Sequence, residues 1–282
     1  MPKVRIVTDS AADMTKAEAD RLGIIVVPLI VTFGTESCLD GELDTETFWR
    51  KAHVVHPQTS QPPVGAFDKA FAPLVDEGAE VICIAITSKH SGTFNSAWTA
   101  AQRFAGKVAV FDSWALSWGE SFLAQAAAEA ASEGKTMSEI LTLLGDARDR
   151  LHTFILLDTI EFLKKGGRAA KFIAVVEKVA RFFNIKLLLT MKEGELKLLG
   201  TANSFSRGLL RMEREVLSLV PLERLAVMHI RNPETADRFA RSLAAKLTPP
   251  LSQVPSLETG AALSCHGGPG VVAAVALTKR GA

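Results

Sequence analysis

Several polar clusters in this sequence carry side chains that could hold or transform a small ligand, and some of them fall where a strand-like run ends. The most loaded is Thr87-Ser88-Lys89-His90-Ser91-Gly92-Thr93-Phe94-Asn95-Ser96, directly after the apolar residues 81–86. Hydroxyls at Ser91 and Thr93 flank Gly92 where a helix begins, so unpaired backbone N–H groups and the positive end of the helix dipole lie beside them. A carboxylate or phosphate suits that position. Ser91 as a nucleophile, with His90 or His266 as its base, would instead make a serine-dependent acyl hydrolase. The Gly-x-Ser-x-Gly elbow that exposes such a nucleophile is missing.

His56-Pro57-Gln58-Thr59-Ser60-Gln61-Pro62-Pro63 is a second cluster. Its prolines fix φ and restrict the residues before them, so a loop here is stiff before any ligand arrives. It is either a rigid surface linker or a set of polar donors held at low entropic cost. Thr8-Asp9-Ser10, with Asp13 close behind, follows the first strand-like run; these residues either cap the next helix or line a ligand at the strand ends. Asp158-Thr159 through Lys164-Lys165-Gly166-Gly167-Arg168 reads as a solvated basic turn, a helix cap or an anion cradle. In His266-Gly267-Gly268-Pro269-Gly270, the glycines let the backbone approach a ligand closely. No phosphate-binding Gly-x-x-x-x-Gly-Lys-Ser/Thr loop is present, and no His and carboxylate set has metal-ligand spacing, so neither cofactor nor metal is expected.

The elements that must position these clusters alternate. Strand-like runs at residues 4–8, 24–31, 81–86 and 108–111 are interleaved with helical patterns at 15–22, 96–104 and 117–132. The unbroken apolar run at 81–86 is the mark of a strand buried on both faces of a parallel sheet. Thr136 and Glu139 form a capping box for a further helix. Strands at 153–157 and 225–230, a hairpin with its tip at Gly194, helices at 205–219 and 235–247 and a buried strand at 271–277 give the second half a mixed sheet. The expected fold is α/β in two domains, 1–150 with a largely parallel sheet and flanking helices, and 151–282 with a mixed sheet and helices.

The 282 residues are 48% hydrophobic and 22% charged, an ordinary globular balance. Lys and Arg number 32 against 31 Asp and Glu, so the near-zero net charge argues against nucleic acid as a partner. The 3 cysteines, far apart, suit a reducing compartment rather than a disulfide framework. Met1-Pro2-Lys3 runs straight into the first strand, and the apolar runs fall short of the ~18 residues a membrane span needs, so a cytoplasmic protein without membrane insertion is expected.

Taken in order, Thr8-Asp9-Ser10 with Asp13, Asp40-Gly41, Thr59-Ser60-Gln61-Pro62, Ser91-Gly92-Thr93, Asp112-Ser113, Leu157-Asp158-Thr159 through Gly166-Gly167-Arg168, and His266-Gly267-Gly268-Pro269-Gly270 closely resemble the DegV family. These are bacterial fatty-acid-binding proteins that include the FakB-type lipid-carrying subunit of fatty acid kinase. The resemblance spans essentially the whole chain. It implies a non-catalytic carrier with one long-chain fatty acid between its domains, presented to a separate kinase that forms acyl phosphate for phospholipid synthesis. Carried over by position, it implies that the hydroxyls of Thr59 and Ser91 bind the carboxylate, with Ser60, Gly92, Thr93, Arg168 and His266 around it. One stretch departs from the pattern: where family members tend to have a basic Gly-Lys-x-Arg segment, this chain has Gly200-Thr201-Ala202-Asn203-Ser204, and its next arginine is Arg207.

Overall fold

The apolar runs at 4–8 and 81–86 pair directly, and helices cover both faces of the sheet they form. A computed structural model describes residues 3–167, 185–248, 250–251 and 253–281. The chain divides into two units, Met1–Asp149 with Gly260–Ala262, and Arg150–Thr259 with Leu263–Ala282.

In the first unit the chain runs β1 (Val4–Asp9), a 3-10 turn (Ser10–Ala12), α1 (Lys16–Leu22), β2 (Ile25–Val27), β3 (Ile30–Phe33), β4 (Glu36–Leu39), α2 (Thr45–Val54) and β5 (Gln58–Ser60). It continues through α3 (Val64–Asp76), β6 (Glu80–Ala85), α4 (Thr93–Ala101), β7 (Val108–Asp112), α5 (Trp118–Ser132) and α6 (Met137–Asp149). Strands β2-β1-β6-β7 form one sheet, parallel throughout. Alternation along β1 and β6 turns Val7, Val81 and Cys83 toward Phe67 and Phe71 of α3 and Ala97 and Ala100 of α4, where they form one core cluster. The other face is covered by α5, whose alanine-rich sequence lets it pack closely and which is buried along most of its length. All four tryptophans belong to this unit, and the chain has no tyrosine. Trp49 packs edge-on against Phe48, Trp118 against Phe122, and the Arg148 guanidinium lies 3.8 Å from the Trp114 ring centre.

The expected strand over 24–31 is two strands in different sheets. Pro28 has no N–H to give to a ladder, and the next amide, Leu29 N, donates to Ser10 Oγ at 3.0 Å instead. The chain then leaves the parallel sheet, and β3 pairs antiparallel with both β4 and β5 in a separate three-stranded sheet. The proline-bounded stretch expected as a loop therefore contains a strand. Helix α4 begins at Thr93, earlier than the sequence pattern indicates.

The second unit comprises β8 (Leu151–Leu157), α7 (Glu161–Lys165), β9 (Lys186–Lys192), β10 (Glu195–Ala202), α8 (Phe205–Leu217), β11 (Leu222–His229), α9 (Pro233–Lys246), β12 (Ser256–Glu258), α10 (Ala261–Gly267) and β13 (Val272–Thr278), the first residues of α10 being assigned to the first unit. Its sheet runs β10-β9-β8-β13-β11-β12, antiparallel except for the parallel β11–β12 pair, so it is mixed. The hairpin turns at Glu193 and Gly194, both at positive φ, as a tight two-residue turn requires. One face of the sheet packs Phe154, Leu156, Leu225 and Val227 against Met212 and Val216 of α8 and Phe239 of α9. The fold is α/β, with a parallel sheet and flanking helices followed by a mixed sheet with helices.

Candidate functional site

The carboxyl ends of β1 and β6 lie side by side in the first unit, because Thr8 pairs with Ile84 in the parallel register. Loops leaving both strands are pinned by two carboxylates, buried Asp9 and half-buried Asp112. Asp9 Oδ1 accepts from Ala11 N at 3.0 Å, capping the 3-10 turn, and its Oδ2 accepts from Ile86 N at 2.9 Å. Ser88 N and Oγ donate to the two oxygens of Asp112 at 3.1 and 2.5 Å. Thr87 N donates to Ala115 O. Residues 86–88 are thereby fixed, and the segment that follows delivers Ser91 to the start of α4. There Ser91 Oγ accepts from Thr93 N at 3.2 Å and shares a 2.8 Å bond with Thr93 Oγ1. Gly92 is the residue before the helix, and no side chain caps it.

Thr59 reaches the same region on β5. It stands opposite Val31 in the antiparallel ladder, so its side chain shares a face with fully buried Val31, and Ser60 takes the opposite, exposed face. Just beyond, the Gln61 side chain lies against Gly92: a Cβ on Gly92 would stand 2.7 Å from Gln61 Nε2. The Gln58–Gln61 and Ser91–Thr93 clusters, thirty residues apart in sequence, are thus assembled beside one another, and a glycine at position 92 makes the approach possible.

The second unit assembles another pair of clusters. Gly166, the C-terminal cap of α7, packs against His266, and a side chain there would run into the imidazole Nδ1. Gly268 and Gly270 have φ of 72° and 89°. A Cβ on Gly268 would meet the Phe162 ring at 2.6 Å, and one on Gly270 would meet Asp158 Cβ at 2.7 Å. The His266–Gly270 motif is therefore threaded against the Asp158–Gly167 motif and held by Gly270 N to Ile230 O at 2.8 Å and Asn232 Nδ2 to Gly270 O at 3.1 Å. Arg168, expected beside this motif, lies outside the described residues. Leu187, Leu188 and Leu189 are buried in the sheet. Arg207, Leu210, Arg211 and Arg214 of α8 line a cavity of about 610 Å³ together with Thr201 and Asn203.

The first unit also holds acids that sequence reasoning left as helix caps or overlooked. Thr15, not Asp13 or Ser10, caps α1, in a box with Glu18. Asp13 instead accepts from Ser117 Oγ at 2.5 Å and Gly260 N at 2.8 Å, and Asp40 accepts from Ala262 N at 3.1 Å. Burial pushes Asp9 and Asp13 each up to about 7, with the Asp40 charge adding to the effect. Burial likewise raises Asp40 and, far more, Glu120 on α5. Glu120 was not legible in the sequence, because α5 carries a second acid, Glu129, and that one is exposed. Among the described residues no group of three or more His, Cys, Asp or Glu is placed to hold a metal, and no helix is long and apolar enough to cross a membrane.

Comparison with known proteins bears on what this arrangement serves. The family model described as "Uncharacterised protein, DegV family" matches residues 3–279. A DegV domain-containing protein of Staphylococcus aureus (strain MRSA252) is 30% identical over 248 residues, 86% of this chain and 87% of that protein. Among solved structures, a fatty-acid-binding DegV family protein from Thermus thermophilus superposes with a TM-score of 0.88 at 29% identity, over 98% of this chain and 100% of its own. A fatty-acid-binding DegV family protein from Streptococcus agalactiae shares the fold at TM-score 0.89 and 20% identity, over 99% and 100% of the two chains.

Proposed function

Because the chain belongs to the DegV family, we propose that it is a carrier for one long-chain fatty acid, with the carboxylate held by the hydroxyls of Thr59 and Ser91. The observation that supports this most is the seating of Gln61 on Gly92, which brings the Thr59 strand up to the Ser91–Thr93 turn at the head of α4. The 29%-identical Thermus thermophilus protein, named for its fatty acid binding, supports the ligand class. The energetics fit a carrier. A C16 chain carries about 14 methylenes, and at ~0.8 kcal/mol each their burial contributes about 11 kcal/mol before ordering costs. The tail then dominates affinity, and the head group fixes orientation. A buried carboxylate left without donors costs several kcal/mol, which neutral hydroxyls and helix N–H groups largely offset.

Neutral donors also leave the carboxylate free to act as a nucleophile, which suits presentation to a separate kinase that forms acyl phosphate; the carrier itself turns nothing over. Thr93, in the same turn as Ser91, belongs to the head-group environment in this reading, and His266 and Arg168 are further ligand contacts that the family resemblance alone implies. Residues 200–204 lack the basic segment of the family pattern, and the nearest cations, Arg207, Arg211 and Arg214, line a cavity on the next helix, so a partner would meet a different surface here.

Mass spectrometry of the protein purified from cells, under native conditions and again after denaturation, tests the proposal. One long-chain acid per chain is expected; a ligand-free protein that takes up no added palmitate or oleate sinks it. Gly166→Ala tests the His266 contribution. At φ −72° and ψ −6° the backbone accepts alanine, so its main effect is to displace the imidazole. Calorimetry should find fatty acid affinity reduced about tenfold, equivalent to ~1.4 kcal/mol, and unchanged affinity would remove His266 from the head-group site.

A further inference from the structure

Glu120 is wholly buried on α5, directly beneath the strand ends that launch the Ser91 segment. Its Oε1 lies 2.8 Å from Thr8 Oγ1, and the same hydroxyl lies 3.0 Å from Ile84 O. Thr8 has one proton for two acceptors. If Glu120 were an anion, one of those short oxygen–oxygen contacts would be repulsive. Its other oxygen, Oε2, receives no N–H or O–H donor, which leaves a charge there without compensation. Asp9, by contrast, accepts a backbone N–H on each oxygen.

We propose that Glu120 is a positioning residue held as a neutral carboxylic acid, donating to Thr8 Oγ1 while Thr8 donates to Ile84 O, so that with Asp9 it locks the ends of β1 and β6 under the Ser91 segment. Asp9 fixes Ile86 N, and the Glu120–Thr8 relay fixes Ile84 two residues earlier; together they clamp the last turn of backbone before residues 87–93. Around Glu120, burial and the Asp9 and Asp13 carboxyls favour its proton, while the hydrogen bonds from Thr8 and the Asp9 backbone oppose it. On the other helices packed against α5, Lys16, Asp20 and Arg21 of α1 and Glu139, Asp146 and Asp149 of α6 are exposed, while half-buried Glu18 is engaged in the Thr15 capping box and half-buried Arg148 with the Trp114 ring and Asp112 O. Among the described residues neither Glu120 nor Asp9 pairs with a Lys or Arg.

The sign follows from linkage. Acids whose folded pKa lies above the unfolded value give their full stability at low pH and lose it as pH climbs through the folded value. For Asp9 and Asp13 that value is about 7, and Glu120 is raised as well. Glu120→Gln keeps a donor toward Thr8 and removes the titration. In ligand-free protein at neutral pH, the infrared carbonyl band of buried protonated carboxylic acids should be present and should be clearly weaker in Glu120→Gln, Asp9 and Asp13 supplying the remainder. Between about pH 6 and about pH 9, the wild-type melting temperature should fall about twice as far as that of the variant. Absence of the band from the wild type, a band equally strong in Glu120→Gln, or parallel melting curves overturns the proposal; the wild-type measurements stand even if the variant does not fold. A second arm rests on the carrier reading: fatty acid affinity of the wild type should weaken about tenfold over the same pH range and that of Glu120→Gln by less than about twofold. Equal weakening in both overturns the positioning role. A protein that shows the band and the melting difference yet binds no fatty acid at any pH upholds the neutral Glu120 and fails the carrier reading alone.

Discussion

The double variant Thr59→Val, Ser91→Ala is expected to bind fatty acid about 2–4 kcal/mol more weakly than the wild type, since each buried acceptor left without its donor costs about 1–3 kcal/mol. Valine is close to isosteric with threonine and keeps its β-branch on β5, so the ladder opposite Val31 is retained. Alanine at 91 removes an oxygen that accepts from Thr93 N, a local loss at the head of α4. Loss of the lipid should therefore far exceed any loss of fold. Titration calorimetry with a single long-chain acid, alongside thermal melts of the ligand-free protein, separates the two. Affinity within twofold of wild type would show that other groups carry the carboxylate.

Leu156→Ala should destabilise the second unit by about 2–5 kcal/mol, the usual cost of emptying a leucine site in a packed core. Leu156 is 0% exposed and sits among Leu188, Met212 and Val272. Its position against Gly208 makes the prediction sharper. A Cβ on Gly208 would fall 2.5 Å from Leu156 Cδ1 and 2.9 Å from Cδ2, so helix α8 approaches the sheet only because position 208 lacks a side chain. Gly208→Ala alone gains about 1 kcal/mol in helix propensity and loses about 1–3 to overpacking. In the Leu156→Ala background the clash is gone and part of the cavity is filled. The two changes should couple favourably by about 1–2 kcal/mol in a double-mutant cycle. Denaturant titrations followed by far-ultraviolet ellipticity give the four free energies; simple additivity would refute this packing.

Where the sequence was legible, one local signal decided the outcome. The apolar run at 81–86 had no polar position to turn outward and became the central strand of a parallel sheet. Thr136 and Glu139 bond reciprocally as a capping box. Glu193-Gly194 could serve only as a tight turn between β9 and β10. Legibility ended where the deciding contact was remote. Nothing near Pro28 states that Ser10 will take the Leu29 amide and send the chain into a second sheet. Nothing in a proline-bounded stretch announces that Gln58–Ser60 will find Val31 as its neighbour. The head-group clusters were visible as residues, but their grouping rests on Gly92 and Gly166 accepting Gln61 and His266. That is a property of close approach rather than of composition. Glu120 was hidden for a similar reason, because an acid in a helix is ordinarily solvated, and only the burial of α5 makes this one exceptional.

The placement of every indole in Met1–Asp149 has a practical consequence. With no tyrosine in the chain, near-ultraviolet emission comes almost wholly from Trp49, Trp98, Trp114 and Trp118, and the other unit is dark apart from phenylalanine. Trp114, stacked under a guanidinium, and Trp118, enclosed beside Phe122, sit close in sequence to the Asp112 anchor and to Glu120. The unmodified protein thus carries its own optical probe of the half that bears Thr59 and Ser91. A ligand that engages those hydroxyls can be followed by its glow without any attached dye.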